Sequence, residues 1–100
     1  MDKAEAINKV KAYKNLIEFF FKPDNVYLFG SYARGNYRDD SDIDVAIVIN
    51  RSEEDYFSVN PLLWKLRRQI DDRIEPILIE KDFDEADFLG EIKKYGIEIA

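Results

Sequence analysis

The run Ile43-Asp44-Val45-Ala46-Ile47-Val48-Ile49 restricts what this chain can become more than any other stretch. After Asp44 it is apolar on both faces, so it reads as a central strand with neighbours on each side and cover above and below. The flanking sequence offers the partners. Apolar residues at Ile7, Val10, Tyr13, Leu16-Ile17 and Phe20-Phe21 recur in steps of three and four. That spacing predicts an amphipathic helix from Ala4 to Phe21, stopped by Pro23-Asp24-Asn25. Val26-Tyr27-Leu28-Phe29 is a short β-prone run that ends at Gly30. Ser31 to Arg34 suffices only for about a turn of helix before Gly35, and Asn36 to Ser41 reads as a loop.

Beyond the central strand, Asn50-Arg51-Ser52 forms the closing turn. Asn60-Pro61, followed by Leu62, Leu63, Leu66 and Ile70, reads as an N-cap, a proline at the first helical position and a core-facing stripe. Asp71-Asp72 is the next turn. Ile74 to Ile79 is a third strand, which Pro76 confines to a sheet edge or a strand end. Asp84 can cap a last helix, with Phe83 and Phe88 as its hydrophobic staple. That helix runs through Leu89, Ile92 and Tyr95 to Gly96. The order α-β-turn-β-α-β-α describes an α/β (α+β) fold with a small mixed sheet packed with helices. One hundred residues make one compact domain, 1–100, rather than two.

What the chain lacks narrows its chemistry. It has no cysteine and no histidine, which excludes thiolate chemistry, an imidazole base, a Ser-His-Asp triad and a His-based zinc site. Any metal must sit on oxygen ligands, which points to Mg²⁺, Mn²⁺ or Ca²⁺. A net charge of −6 argues against extended nucleic-acid binding, because few counterions can be released by Lys and Arg. No apolar run approaches a membrane span, and Met1-Asp2-Lys3-Ala4-Glu5 opens a charged segment unlike a signal peptide. A cytoplasmic location is expected.

The chemistry concentrates in Phe29-Gly30-Ser31-Tyr32-Ala33-Arg34-Gly35 and Ser41-Asp42-Ile43-Asp44-Val45. Asp42 and Asp44, two apart at a strand start, leave the same face and repel one another unless a cation lies between them. Mg²⁺ suits such a pair, since it takes one or two carboxylates, several waters and substrate phosphates. Gly30 has no Cβ to keep a phosphate from the backbone, and Ser31 opens a helical turn that presents N–H groups and a hydroxyl to an anion. Together these features describe a nucleoside triphosphate site. Arg34 could touch the triphosphate or pair with Asp39 or Asp40. Ser41 is expected to shape the loop by a local hydrogen bond, with Asp39 and Asp40 as turn residues and Arg38 as a solvated charge. Tyr32, Tyr37 and Trp64 are expected to pack rather than to stack on a base or partner.

Gly30-Ser31, a ten-residue gap and Asp42-x-Asp44 resemble the signature of the DNA polymerase β nucleotidyltransferase superfamily, and Ala33-Arg34-Gly35 and Ser41 strengthen the match. The likeness is to the stand-alone minimal nucleotidyltransferases, the MNT group. It implies that Gly30 and Ser31 hold the triphosphate, and that Asp42 and Asp44 bind one or two Mg²⁺ ions. It further implies a third carboxylate on a later strand, matched here by Glu75, as a metal ligand that receives the acceptor's proton. Glu75 departs from the Asp used by polymerases and is one methylene longer. On its own residues it could equally be a solvated charge on an edge strand.

The implied reaction moves a nucleoside monophosphate, AMP if the donor is ATP, to a hydroxyl. With no basic groove and no second domain, the acceptor is expected on a protein that docks. The resemblance implies a HEPN-domain toxin carrying a target tyrosine, with this chain as the antitoxin of a toxin–antitoxin pair. Two alternatives stay open: a non-catalytic antitoxin that blocks its partner sterically, and an enzyme acting on a small molecule or an RNA end.

Overall fold

In the computed structural model, which describes residues 1–50, 53–84 and 87–100, the first helix starts at a side-chain cap. Asp2 accepts the Glu5 N–H at 2.8 Å and opens α1 (Lys3–Ile17), whose buried face is Ala6, Val10, Tyr13 and Ile17. The helix ends at Ile17, four residues short of the Phe21 expected. There the N–H groups of Phe19 and Phe20 turn to the carbonyls of Leu16 and Ile17, three residues back, which tightens the last turn. Phe21 then tucks into the core, while Phe19 and Phe20 stay exposed.

The remaining elements are β1 (Asn25–Phe29), α2 (Gly30–Arg34), β2 (Ile43–Ile49), α3 (Tyr56–Leu66), β3 (Ile74–Glu80), α4 (Phe88–Tyr95) and β4 (Ile97–Glu98). They form a four-stranded mixed sheet in the order β3-β2-β1-β4. The central place expected for Ile43–Ile49 is the one it takes. β2 runs antiparallel to β1 and parallel to β3, and α3 with the short 3₁₀ turn Arg67–Gln69 supplies the crossover that a parallel pair needs. β3 is the edge strand that Pro76 requires. β4, paired antiparallel to β1 through Tyr27↔Glu98 and Leu28↔Ile97, is too short for its sequence to announce.

Alternation along the strands gives the sheet two unlike faces. One carries Val26, Leu28, Ile43, Val45, Ile47, Ile49, Ile74 and Leu78, packed under α1, α2 and α3 in the main core. Within it the buried Tyr13 hydroxyl donates to the Leu63 carbonyl at 2.7 Å and ties α1 to α3. The other face carries Tyr27, Ala46, Val48 and Ile79, against which α4 packs through Ile92 and Leu89.

Two helix starts differ from expectation. The N-cap of α3 is Asp55, which accepts the Phe57 N–H at 3.1 Å and the Ser58 hydroxyl at 2.9 Å, so the helix begins four residues before Asn60. Pro61 therefore lies inside the helix, where it cannot donate to the Phe57 carbonyl. Phe57 is exposed, so water can serve that group. At α4, Asp84 does cap, its carboxylate accepting the N–H groups of Phe88 at 3.0 Å and Leu89 at 2.5 Å. The N-cap position itself belongs to Asp87, in a left-handed conformation with φ 51°. The expected turn at Arg51 and Ser52 lies outside the described residues.

Candidate active site

The site is built where β1, β2 and β3 meet on the sparsely covered face. β1 ends at Phe29, which pairs with Asp44, and the chain then turns at Gly30 with φ +71°. A Cβ at Gly30 would lie 2.1 Å from the nearer carboxylate oxygen of Asp44, so only glycine fits beneath that side chain. On the other flank of β2, the parallel register sets Asp44 beside Glu75. The first rung of that ladder is the Ile43 N–H donating to the Arg73 carbonyl at 2.8 Å. Asp42 precedes the strand by one residue and is exposed. Its loop is held by the Ser41 hydroxyl, which accepts the Arg38 N–H at 2.7 Å, and by the Arg73 guanidinium, which donates to the Asp39 carbonyl at 3.4 Å. The local role expected of Ser41 is thus what the structure shows.

Crowding of these carboxylates alters their acidity. Asp44 is half-buried, and loss of hydration together with the charges of Glu75 and Asp42 pushes its pKa up to about 6. Glu75 is raised too, by partial desolvation, by the charge of Asp42 and by a hydrogen bond with it, against the opposing pull of Arg67. Carboxylates that penalise one another's ionisation are relieved by a divalent cation. Among the described residues no three acidic side chains are grouped closely enough to hold one metal ion between them. Mg²⁺ does not need such a cage, since two carboxylates, waters and phosphates complete its shell. A pair of carboxylates drawn from Asp42, Asp44 and Glu75 therefore supplies the oxygen donors that Mg²⁺ or Mn²⁺ takes.

The other expected residues divide clearly. Ser31 lies in the first turn of α2, half-buried beside Gly30. Arg34, one turn on, sends its guanidinium over the Tyr95 ring, 4.9 Å from the centroid, and so faces α4. Tyr32 is fully buried and stacks on Tyr37 with centroids 4.6 Å apart, so this pair packs, as expected. Trp64 is partly exposed under the Arg67 guanidinium, 4.8 Å from its centroid.

Two features were not legible beforehand. Arg67 donates to the carbonyls of Asp72 and Ile74, the latter at 3.2 Å, and so fixes the entry to β3 directly before Glu75. A cleft of about 330 Å³ also opens between α2 and α4. Phe29 and Gly30 floor it, Arg34 forms one wall, and Phe88, Glu91, Ile92 and Tyr95 form the other. In the sequence Ile92 and Tyr95 read only as part of a helix and Phe88 as half of a hydrophobic staple, while nothing singled out Glu91.

A glycine turn at the end of β1, with carboxylates at the start of the neighbouring β2 and of β3 beyond it, is an arrangement suited to phosphoryl-group transfer. The comparisons narrow the class. The chain belongs to the nucleotidyltransferase domain family, whose model matches residues 10–99. A protein of Methanocaldococcus jannaschii, provisionally named a protein adenylyltransferase, is 32% identical over 99 residues, covering 95% of this chain and 99% of that one. A crystal structure of a toxin–antitoxin with AMP-PNP superposes with a TM-score of 0.66 at 26% identity, over 93% of this chain and 73% of that one. A provisionally assigned nucleotidyltransferase from Sulfolobus solfataricus shares the fold, with a TM-score of 0.63 at 23% identity over 96% of this chain and 80% of that one. Among the described residues no helix is long and apolar enough to cross a membrane.

Proposed function

We propose that this nucleotidyltransferase transfers AMP from ATP to a hydroxyl on a partner protein, as the antitoxin of a toxin–antitoxin pair. The observation that carries the reading is the β2–β3 register, which sets Asp44 beside Glu75, with Asp42 adjacent and the Gly30 turn beneath. The M. jannaschii relative's name supports protein adenylylation, and the neighbour containing AMP-PNP supports an adenine nucleotide and a toxin partner. The resemblance of Gly30-Ser31 and Asp42-x-Asp44 to the minimal nucleotidyltransferase signature supports a HEPN-domain toxin as that partner, with a tyrosine as acceptor.

Asp42, Asp44 and Glu75 would hold one or two Mg²⁺ ions, which supply neutralisation of charge on the α-phosphate and on the leaving pyrophosphate. Gly30 and Ser31 admit the phosphates to the backbone at the start of α2. The acceptor oxygen forms a bond to the α-phosphorus as the bond to the bridging oxygen of the β-phosphate breaks, and pyrophosphate departs. Glu75 would take the acceptor's proton.

The test is incubation with α-³²P-labelled ATP and Mg²⁺, with and without the toxin, beside the Asp42→Asn/Asp44→Asn double variant. Label on a toxin tyrosine that disappears in the variant is the expected result. A toxin that stays inhibited but unlabelled under every metal and nucleotide would replace this reading with steric blocking.

A further inference from the structure

We infer that the cleft between α2 and α4 is the nucleoside subsite, and that Glu91 accepts a hydrogen bond there from the nucleoside. The inference rests on the proposed reading of Gly30, Asp42 and Asp44 as the phosphate-handling end.

The first support is continuity. Phe29 floors the cleft and is also the β-partner of Asp44, while Gly30 both borders the cleft and lies under the Asp44 carboxylate. A ligand with its phosphates at Asp44 reaches the cleft without crossing another element. The second is size. A volume of about 330 Å³ is at the lower end for small-ligand sites, right for one nucleoside and too small for a peptide segment in a folded conformation.

The third support is chemistry. Phe88, Glu91, Ile92 and Tyr95 are spaced three, four and seven residues apart and share one face of α4. Phe29 and Phe88 meet edge to face, with centroids 5.8 Å apart, and make an apolar corner against which a flat base can pack. The Arg34 guanidinium of α2 lies over the Tyr95 ring of α4, so the two walls meet there and bound the cleft. Glu91 interrupts this stripe with a group that, when ionised, only accepts hydrogen bonds. An alkyl ligand would gain nothing from Glu91, and a second anion would be repelled by it. A nucleoside satisfies it through the exocyclic amine of adenine or through a ribose hydroxyl.

The test uses three probes on the ¹⁵N-labelled full chain: adenosine, inorganic tripolyphosphate with Mg²⁺, and ATP with Mg²⁺. Adenosine is expected to shift the amides of Arg34 and of residues 88–96, and tripolyphosphate those of residues 30–31 and 42–44. Glu91→Gln, on an exposed position, should weaken ATP binding about tenfold and leave tripolyphosphate binding unchanged. Purine riboside triphosphate, which lacks the 6-amino group, and 2′,3′-dideoxy-ATP then identify the donor. The analogue that binds the wild type about tenfold more weakly, yet is indifferent to Glu91→Gln, lacks the group that Glu91 reads. Adenosine shifts confined to the region of Glu75 and Ile77, or ATP affinity unaffected by Glu91→Gln, would overturn the inference while the proposed activity stood. Loss of all tripolyphosphate binding would strike the proposed function instead, and adenosine in the cleft would still support the subsite.

Discussion

The two faces of the sheet come from the same strands, yet they are built to opposite ends. On the face under α1, α2 and α3, β1, β2 and β3 each contribute fully buried aliphatic side chains, among them Leu28, Ile43, Ile47 and Ile74. On the other face β2 offers only Ala46 and Val48 to the interior, β3 leaves Ile77 37% exposed, and the strand starts carry Asp44 and Glu75. Stability is concentrated on one side, and the other is left accessible for chemistry. A small domain can support crowded carboxylates because their cost falls away from the packing that folds the chain.

The sharpest way to break this contrast is Asp42→Asn/Asp44→Asn. Transfer activity should fall by on the order of 10³-fold or more while the thermal midpoint without metal stays level or rises, since the variant removes mutual repulsion. A variant that unfolds would show that the carboxylates belong to the scaffold. Next comes a matched pair on opposite faces. Ile47→Ala in the closed core should cost about 2–5 kcal/mol in urea denaturation, whereas Ile77→Ala on the open face should cost under about 1 kcal/mol. Equal losses would erase the distinction.

Gly30→Ala joins the two sides. The left-handed φ costs a side chain about 1–2 kcal/mol, and the new methyl must displace the Asp44 carboxylate, since they would otherwise lie 2.1 Å apart. Activity should drop on the order of 10²-fold, beyond what the stability loss explains. Acid–base behaviour gives a finer contrast. Asp44 titrates near 6 in the folded protein against a reference of 3.8, so the fold gains from its neutral form below pH 3.8 and loses that gain as pH rises through 6. Asp71 behaves oppositely. It accepts Lys9 at 2.6 Å and Arg73 at 3.0 Å, and the hydrogen bonds of Arg73 foremost hold its pKa far below the usual range. Its contribution is present above the unfolded carboxylate pKa and is lost on acidification. Mg²⁺ should therefore raise the melting midpoint more at pH 8 than at pH 5. Asp71→Asn should cost about 1 kcal/mol at pH 7, a cost that persists to about pH 3 and fades only on stronger acidification.

Much of this was legible because its signals are local. A strand apolar on both faces has to be central, and a proline in an otherwise apolar strand has to be at an edge. The Gly30 turn and the spacing of Asp42 and Asp44 sit within a few residues of one another, and they mark the family the comparisons confirm. What was missed depends on distant partners. Asn60-Pro61 imitates a helix start, but Asp55 reaches the open N–H groups first, and tertiary packing carries the helix through Pro61. β4 exists because β1 offers an unpaired edge some seventy positions earlier, a fact no window around Ile97 contains. Glu91 and Tyr95 gain meaning only when Phe29 and Arg34 are brought opposite them.

The parallel pairing of β2 with β3 has a consequence for how the protein comes into being. Asp44 and Glu75 meet only after the chain has run through α3 and returned, and the cleft needs α4, which is made later still. Contacts of such long range form slowly and close to the final folding step. During synthesis the emerging chain therefore carries no assembled site until α4 has been made.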